Sequence, residues 1–159
     1  MYTVDLTGKN VLIFGVANHR SIAWAIAQAL YGAGARIGLT YQTDRLKEGV
    51  QDLAKEIGDA PLFQCDVSND GEVEELYEKV GETMGSLSTV VHSIAFAHRD
   101  DLGGEFSKTD REGFRIALDV SAFSLLPVVR YAAPLMTEGG TVIAMTFLAA
   151  QKVFPGYNV

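Results

Sequence analysis

The chain has 159 residues, enough for one domain with a buried core, and its composition of 48% hydrophobic and 21% charged residues is that of a globular protein. Its net charge of −7 argues against a broad surface for nucleic-acid phosphates. The lone Cys65 excludes a disulfide within the chain, and neither a leader-like start nor an apolar run of about 18 residues points to a membrane, so a cytoplasmic protein is expected.

In chain order, the apolar run Asn10–Phe14 reads as a first strand, buried on both faces because its apolar residues are consecutive. A turn, F-G-V-A-N-H-R-S-I-A, leads from it into a helix whose stripe is Ile22, Ile26, Ala29 and Leu30, with Gly34 as its stop. A strand-to-helix turn of this kind is where a dinucleotide-binding chain carries its glycines. Only Gly15 is present to make the tight turn, but Ala23 is small enough for close helix packing. Ser21 has two readings, a plain N-cap or a hydroxyl and N–H offered to a phosphate at the helix start.

The second strand, Arg36–Tyr41, ends at Gln42, about 20 residues on, where a ribose-binding side chain belongs. An amide there can bond a ribose hydroxyl, whereas a 2′-phosphate would call for a cation, and the nearest, Arg45, suits a solvated first helical turn. We therefore expect NADH rather than NADPH. Leu46, Val50, Leu53 and Ile57 form the next helical stripe, and Pro61–Cys65 a third strand. Asp66 follows, either as a carboxylate for the exocyclic amine of adenine or as a helix-capping acid. Ser68 or Asn69 can cap the third helix, whose stripe is Val73, Leu76, Tyr77 and Val80.

The fourth strand, Thr89–Ile94, runs into small residues where a ribose and nicotinamide would lie. His92, inside this apolar strand, reads as a core histidine, and His98 falls in a loop beside R-D-D. No metal-ligand spacing is found. A long helical region, Asp110–Met136, is apolar on nearly every face from Val120 to Ala133, which a subunit interface would explain. Pro127 is expected to kink or break it near Leu126. A fifth strand, Gly140–Thr146, completes an α/β pattern: a Rossmann-type doubly wound parallel sheet.

The combination of Gly15…Ser21-Ile22-Ala23, T-Y-Q at 40–42, C-D-V at 65–67, H-S-I-A-F-A at 92–97 and P-x-Y-N-V at 155–159 resembles the enoyl-[acyl-carrier-protein] reductases of bacterial fatty-acid synthesis, divergent short-chain dehydrogenases/reductases. R-E-G-F at 111–114 and the D-x-S segment at 119–121 agree. The resemblance implies NADH-dependent reduction of a trans-2-enoyl thioester on acyl carrier protein by a homotetramer. It implies that Gly15, Ser21 and Ile22 line the pyrophosphate and ribose, and that Gln42 meets the adenosine ribose. Asp66 and Val67 would hold adenine, Ile94 would lie along the cofactor and Ala97 would touch the acyl group. Tyr157 corresponds to the active-site tyrosine, whose hydroxyl would stabilise the enolate oxygen.

Two departures accompany the likeness. Phe147 stands where the family has a second tyrosine, and the family's lysine, seven residues after Tyr157, falls beyond Val159. The sequence is thus expected to be the first three-fifths of such an enzyme, a C-terminally truncated single dinucleotide-binding domain over residues 1–159 that is inactive alone. The competing readings are a ketone or alcohol reductase of the same superfamily and a non-catalytic nucleotide-binding module.

Overall fold

The computed structural model describes residues 4–158. Five strands, β1 (Asn10–Phe14), β2 (Arg36–Tyr41), β3 (Leu62–Gln64), β4 (Thr89–His92) and β5 (Thr141–Ala144), form one sheet in the order β3-β2-β1-β4-β5. Every pairing is parallel, with Leu12 opposite Gly38 on one side and Val90 on the other. The intervening helices are α1 (Ile22–Gly32), α2 (Asp44–Glu56), α3 (Asp70–Met84), α4 (Arg111–Leu118) and α5 (Leu125–Ala132).

The consecutive apolar residues of the central strands divide between two cores. Val11 and Ile13 of β1 and Val91 of β4 join Ala23, Trp24 and Ala27 of α1 and Val50 and Leu53 of α2 on one face. Leu12, Phe14 and Val90 point to the other face, against Val73, Leu76 and Val80 of α3 and Val128 and Ala132 of α5. This is the doubly wound α/β fold expected from the sequence, with helices covering both faces of a parallel sheet. Asn10 ties the lower end of β1 to the α3–β4 connection, its amide donating to the carbonyls of Met84 and Ser86 at 2.8 Å each.

Strand ends differ from the sequence expectation. β3, β4 and β5 are shorter than the apolar runs that suggested them, because the chain leaves the ladder where strands diverge. Past His92 the chain peels away, and Ser93–Phe96 line a cleft instead of pairing.

The long helical region also departs from expectation. It breaks at Asp119–Phe123, a π-helical turn in which the Ser124 N–H bonds to the Asp119 carbonyl, upstream of Pro127. Pro127 itself sits buried in the first turn of α5, where a missing N–H is tolerated. Arg111–Leu135 is long and apolar enough by composition to cross a membrane. Its buried side, however, packs on the sheet and α3 through Val128 and Ala132. Phe114, Leu118, Phe123, Leu126 and Val129 remain exposed, as does β5 at the sheet edge.

Leu76 is fully buried between α3 and the sheet. Leu76→Ala is expected to lower unfolding free energy by about 2–5 kcal/mol, measured by urea denaturation.

Candidate functional site

Strand order reverses between β1 and β4: β2 and β3 lie on one side of β1, and β4 and β5 on the other. Crevices outside the carboxyl ends of parallel strands at such a reversal are where open α/β sheets bind ligands. A cleft of about 610 Å³ opens there. Gly15–Ala17 follow β1, Thr40–Gln42 end β2, Cys65–Ser68 follow β3 and Ser93–Phe96 follow β4, while Arg115, Ile116, Asp119 and Val120 close one side.

Gly15 makes the crevice possible. Its φ is +96°, and a Cβ on it would collide with the Ser93 carbonyl oxygen, so β1 and the chain leaving β4 approach more closely than any side chain permits. The glycines missing from the rest of the turn are replaced by two devices. Ala23 is fully buried in the α1–sheet core, supplying close packing. The Ser21 hydroxyl accepts from the N–H groups of Ala17 and Asn18 at 3.0 and 3.1 Å, folding the turn back on itself. It does not cap α1, whose first N–H groups have no side-chain cap among the described residues. Ser21 and the exposed Ile22 stand at that helix start, beside the cleft lining and outside it.

At the β2 and β3 ends, the Gln42 amide donates to Asp66 Oδ2 at 3.0 Å. Asp66 Oδ1 accepts from the N–H and hydroxyl of Ser68 at 3.0 and 2.7 Å, and the Asp66 N–H donates to Glu72 at 2.8 Å. Burial alone would raise the Asp66 carboxyl, but the bonds from Ser68 and Gln42 outweigh it and hold the group below the ordinary 3.8. Asp66 therefore carries a negative charge at the cleft. Its alternative reading as a helix cap falls away, because Asn69 caps α3 by accepting from the Gly71 N–H. Burial pushes the Cys65 thiol up to about 12, with Glu72 and Asp66 adding to the rise, so Cys65 is a neutral wall and not a nucleophile.

His92 is a core histidine, as the sequence suggested. Its Nε2 lies 2.8 Å from the Ser124 hydroxyl, which is 2.7 Å from the Val120 carbonyl. The hydroxyl has one proton to donate, to that carbonyl, so His92 Nε2 is the protonated nitrogen and the donor. His98 is exposed, its ring edge-on to Phe96.

The structure gathers Gly15, Gln42, Asp66, Val67 and Ile94 around one cleft. Ala97 lies just past the lining, and Tyr157 is elsewhere. Tyr157 lines a second hollow of about 790 Å³ with Phe106, Leu118, Phe147 and Phe154. Its ring meets Phe147 edge to face, centroids 5.3 Å apart, and Phe147 stacks on Phe154 at 6.5 Å. α4 stands between the hollows, giving Arg115 and Ile116 to the first and Leu118 to the second. Sequence reading missed Arg115, Ile116, Asp119 and Val120 as cleft residues, although the T-Y-Q likeness at 40–42 took in Thr40 and the D-x-S likeness at 119–121 took in Asp119 and Val120. Gly113, in the R-E-G-F segment, lies against the Asp101 carboxylate, which a Cβ there would displace. No group of three or more metal-ligating side chains exists among the described residues.

Comparison with known proteins agrees with this geometry. A family model described as enoyl-(acyl carrier protein) reductase matches residues 15–159. The chain is 43% identical to the NADH enoyl-[acyl-carrier-protein] reductase FabI of Nostoc sp., over 98% of this chain and 62% of the relative. It is 40% identical to the NADPH FabI of Staphylococcus aureus, again over 98% and 62%. The crystal structure of the Bacillus cereus enoyl-acyl carrier protein reductase with NADP+ and indole naphthyridinone superposes with a TM-score of 0.94 at 44% identity, covering 97% of this chain and 61% of that one. The chain thus spans about three-fifths of the length of the relatives it matches.

Burial holds the His92 pKa below 6.5. The unfolded chain therefore takes up a proton that the folded protein resists, and stability falls as pH drops below 6.5 toward the folded-state value. His92→Gln is expected to flatten that part of a urea-denaturation pH series.

Proposed function

The chain belongs to the enoyl-(acyl carrier protein) reductase family, and from that premise we propose that it reduces trans-2-enoyl thioesters carried on acyl carrier protein, with NADH as reductant. The observation carrying this reading is the crevice at the β1/β4 reversal, where Gly15 lets the two chains approach closely and Asp66 places a negative charge. We read residues 1–159 as a single dinucleotide-binding domain of a cytoplasmic homotetramer, a reading consistent with the exposed apolar row on α4 and α5.

The residues present fit a nicotinamide dinucleotide. Gly15 lets the first turn close against the Ser93 carbonyl, and the uncapped start of α1 at Ser21 and Ile22 suits a pyrophosphate, because free N–H groups and the helix dipole both favour an anion. Gln42 is suited to the adenosine ribose, Asp66 and Val67 to adenine, and Ile94 to the length of the cofactor. The bound nicotinamide would supply a hydride to the enoyl β-carbon. Asp66 favours NADH over NADPH, because a carboxylate fixed by the Gln42 amide repels a 2′-phosphate. Arg45, the nearest cation in sequence, is exposed on α2 and does not line the cleft.

Tyr157 lies in the second hollow, across α4 from the cleft, so the role we assign it, donating its hydroxyl to the thioester oxygen as charge gathers there in the manner of an oxyanion hole, requires the acyl group to reach from one hollow to the other. Ala97, beside the cleft, is the residue we assign to contact with the acyl group. Phe147 cannot donate, so its contribution is an apolar wall that holds the edge of the Tyr157 ring.

Full-length protein given NADH and either a crotonyl or an acetoacetyl thioester should oxidise NADH with the crotonyl compound. Turnover with the acetoacetyl compound alone would instead indicate a ketone reductase of the same superfamily. Tyr157→Phe is expected to lower kcat by about 10²–10³-fold while leaving NADH affinity unchanged. In paired steady-state assays, kcat/KM should be higher with NADH than with NADPH, and Asp66→Asn should narrow that preference.

A further inference from the structure

The segment that leaves β4, Ser93–Ala97, borders the cleft without belonging to any strand or helix. Its last sheet bond is the Met145 N–H to the His92 carbonyl at 2.8 Å. Beyond that point it is held from the side by the π-helical turn Asp119–Phe123. The Ser121 hydroxyl accepts from the Phe96 N–H at 3.0 Å and donates to the Phe96 carbonyl at 3.1 Å. One side chain thus satisfies both backbone groups of one residue, as a neighbouring strand would. Ser124, three residues on, anchors the same turn to β4 through His92. Asp119 and Val120, the first two residues of the turn, line the cleft themselves.

A π-turn inserts one extra residue into a helix and re-aims the side chains around it; such turns recur at functional sites. Here the re-aimed face carries the cleft residues Asp119 and Val120 together with the two serines that reach β4 and its extension. Phe96 precedes Ala97, the residue assigned above to the acyl group, and follows Ile94, assigned to the cofactor.

We propose that Ser121 is a positioning residue: its two-way hydrogen bond to the Phe96 backbone holds Ile94–Ala97 in the shape that aligns the enoyl group against the cofactor. The proposal rests on the function proposed above. Ser121 touches neither substrate nor cofactor. It acts through the backbone of Phe96, whose exposed N–H and carbonyl are free to turn to water once the hydroxyl is gone, so that the segment loses a single conformation.

The test compares Ser121→Ala and Ser121→Thr with the parent full-length protein. Amide hydrogen exchange at Phe96 reads the clamp directly, because Ser121 is the acceptor for that N–H. Exchange should be at least about tenfold faster in the Ala variant and return to the parent rate in the Thr variant, with α3 amides unchanged in all three. With a crotonyl thioester, kcat/KM should fall roughly tenfold in Ser121→Ala, the scale of one hydrogen bond's net contribution, at unchanged Kd for NADH and with recovery in Ser121→Thr. Equal Phe96 exchange in parent and Ala variant would overturn the clamp. Faster exchange with unaltered kcat/KM, or a Thr variant as impaired as Ala, would overturn the positioning role. A parent that binds NADH and turns over no enoyl thioester would instead sink the proposed function, while the exchange measurement still decided the clamp.

Discussion

The close approach of Gly15 to the Ser93 carbonyl is the contact on which the rest of the site depends. Two parallel strands, β1 and β4, must diverge at their carboxyl ends for a crevice to form, yet stay paired below it. Gly15 meets both demands by taking a left-handed φ and presenting no Cβ to the chain leaving β4. From there the first turn can swing into α1, and Ser93–Ala97 can run along the opposite wall.

Around it, the cleft is assembled from hydrogen bonds between segments distant in sequence. Gln42 and Asp66 come from different strands and meet through one amide–carboxylate bond, with Glu72 and Ser68 completing the network. On the other side, Ser121 and Ser124 fasten a π-turn to β4 and its extension. The exposed bonds of Gln42 and Ser121 join groups that solvent could have satisfied, so their value lies in fixing geometry, whereas the buried His92–Ser124 bond satisfies groups that water does not reach. The net gain per bond is about 0.5–1.5 kcal/mol, small beside the burial of Leu12, Phe14 and Leu76 in the core.

The turn after β1 shows how a dinucleotide-type crevice can be made with one glycine. Close packing is delegated to Ala23, and the turn is stiffened by Ser21 accepting two backbone N–H groups, which leaves the start of α1 without a side-chain cap. The second hollow is built on another logic, with the rings of Phe147, Phe154 and Tyr157 in mutual contact and Leu118 of α4 opposite. One helix thereby serves both hollows, through Arg115 and Ile116 on one and Leu118 on the other.

The sequence by itself determined the strand and helix order, the two-faced burial of the central strands and the residues at each strand's carboxyl end. All three are local: apolar periodicity and chain direction suffice to place Gly15, Gln42, Asp66 and Ile94 at one edge of a parallel sheet. The buried, unreactive character of His92 was legible for the same reason, since an apolar strand leaves a histidine nowhere to go but the core. Tertiary structure alone decided which edges meet. Asp66 bonds Gln42 and leaves the helix cap to Asn69, and Tyr157 lies against Phe147 and not in the first cleft. Asp119 and Val120 enter the cleft from a π-turn, which is invisible to a periodicity of 3.6, beside Arg115 of α4. Periodicity reports which face of an element is buried, whereas the partner that buries it is chosen by contacts across the sheet that no local pattern encodes.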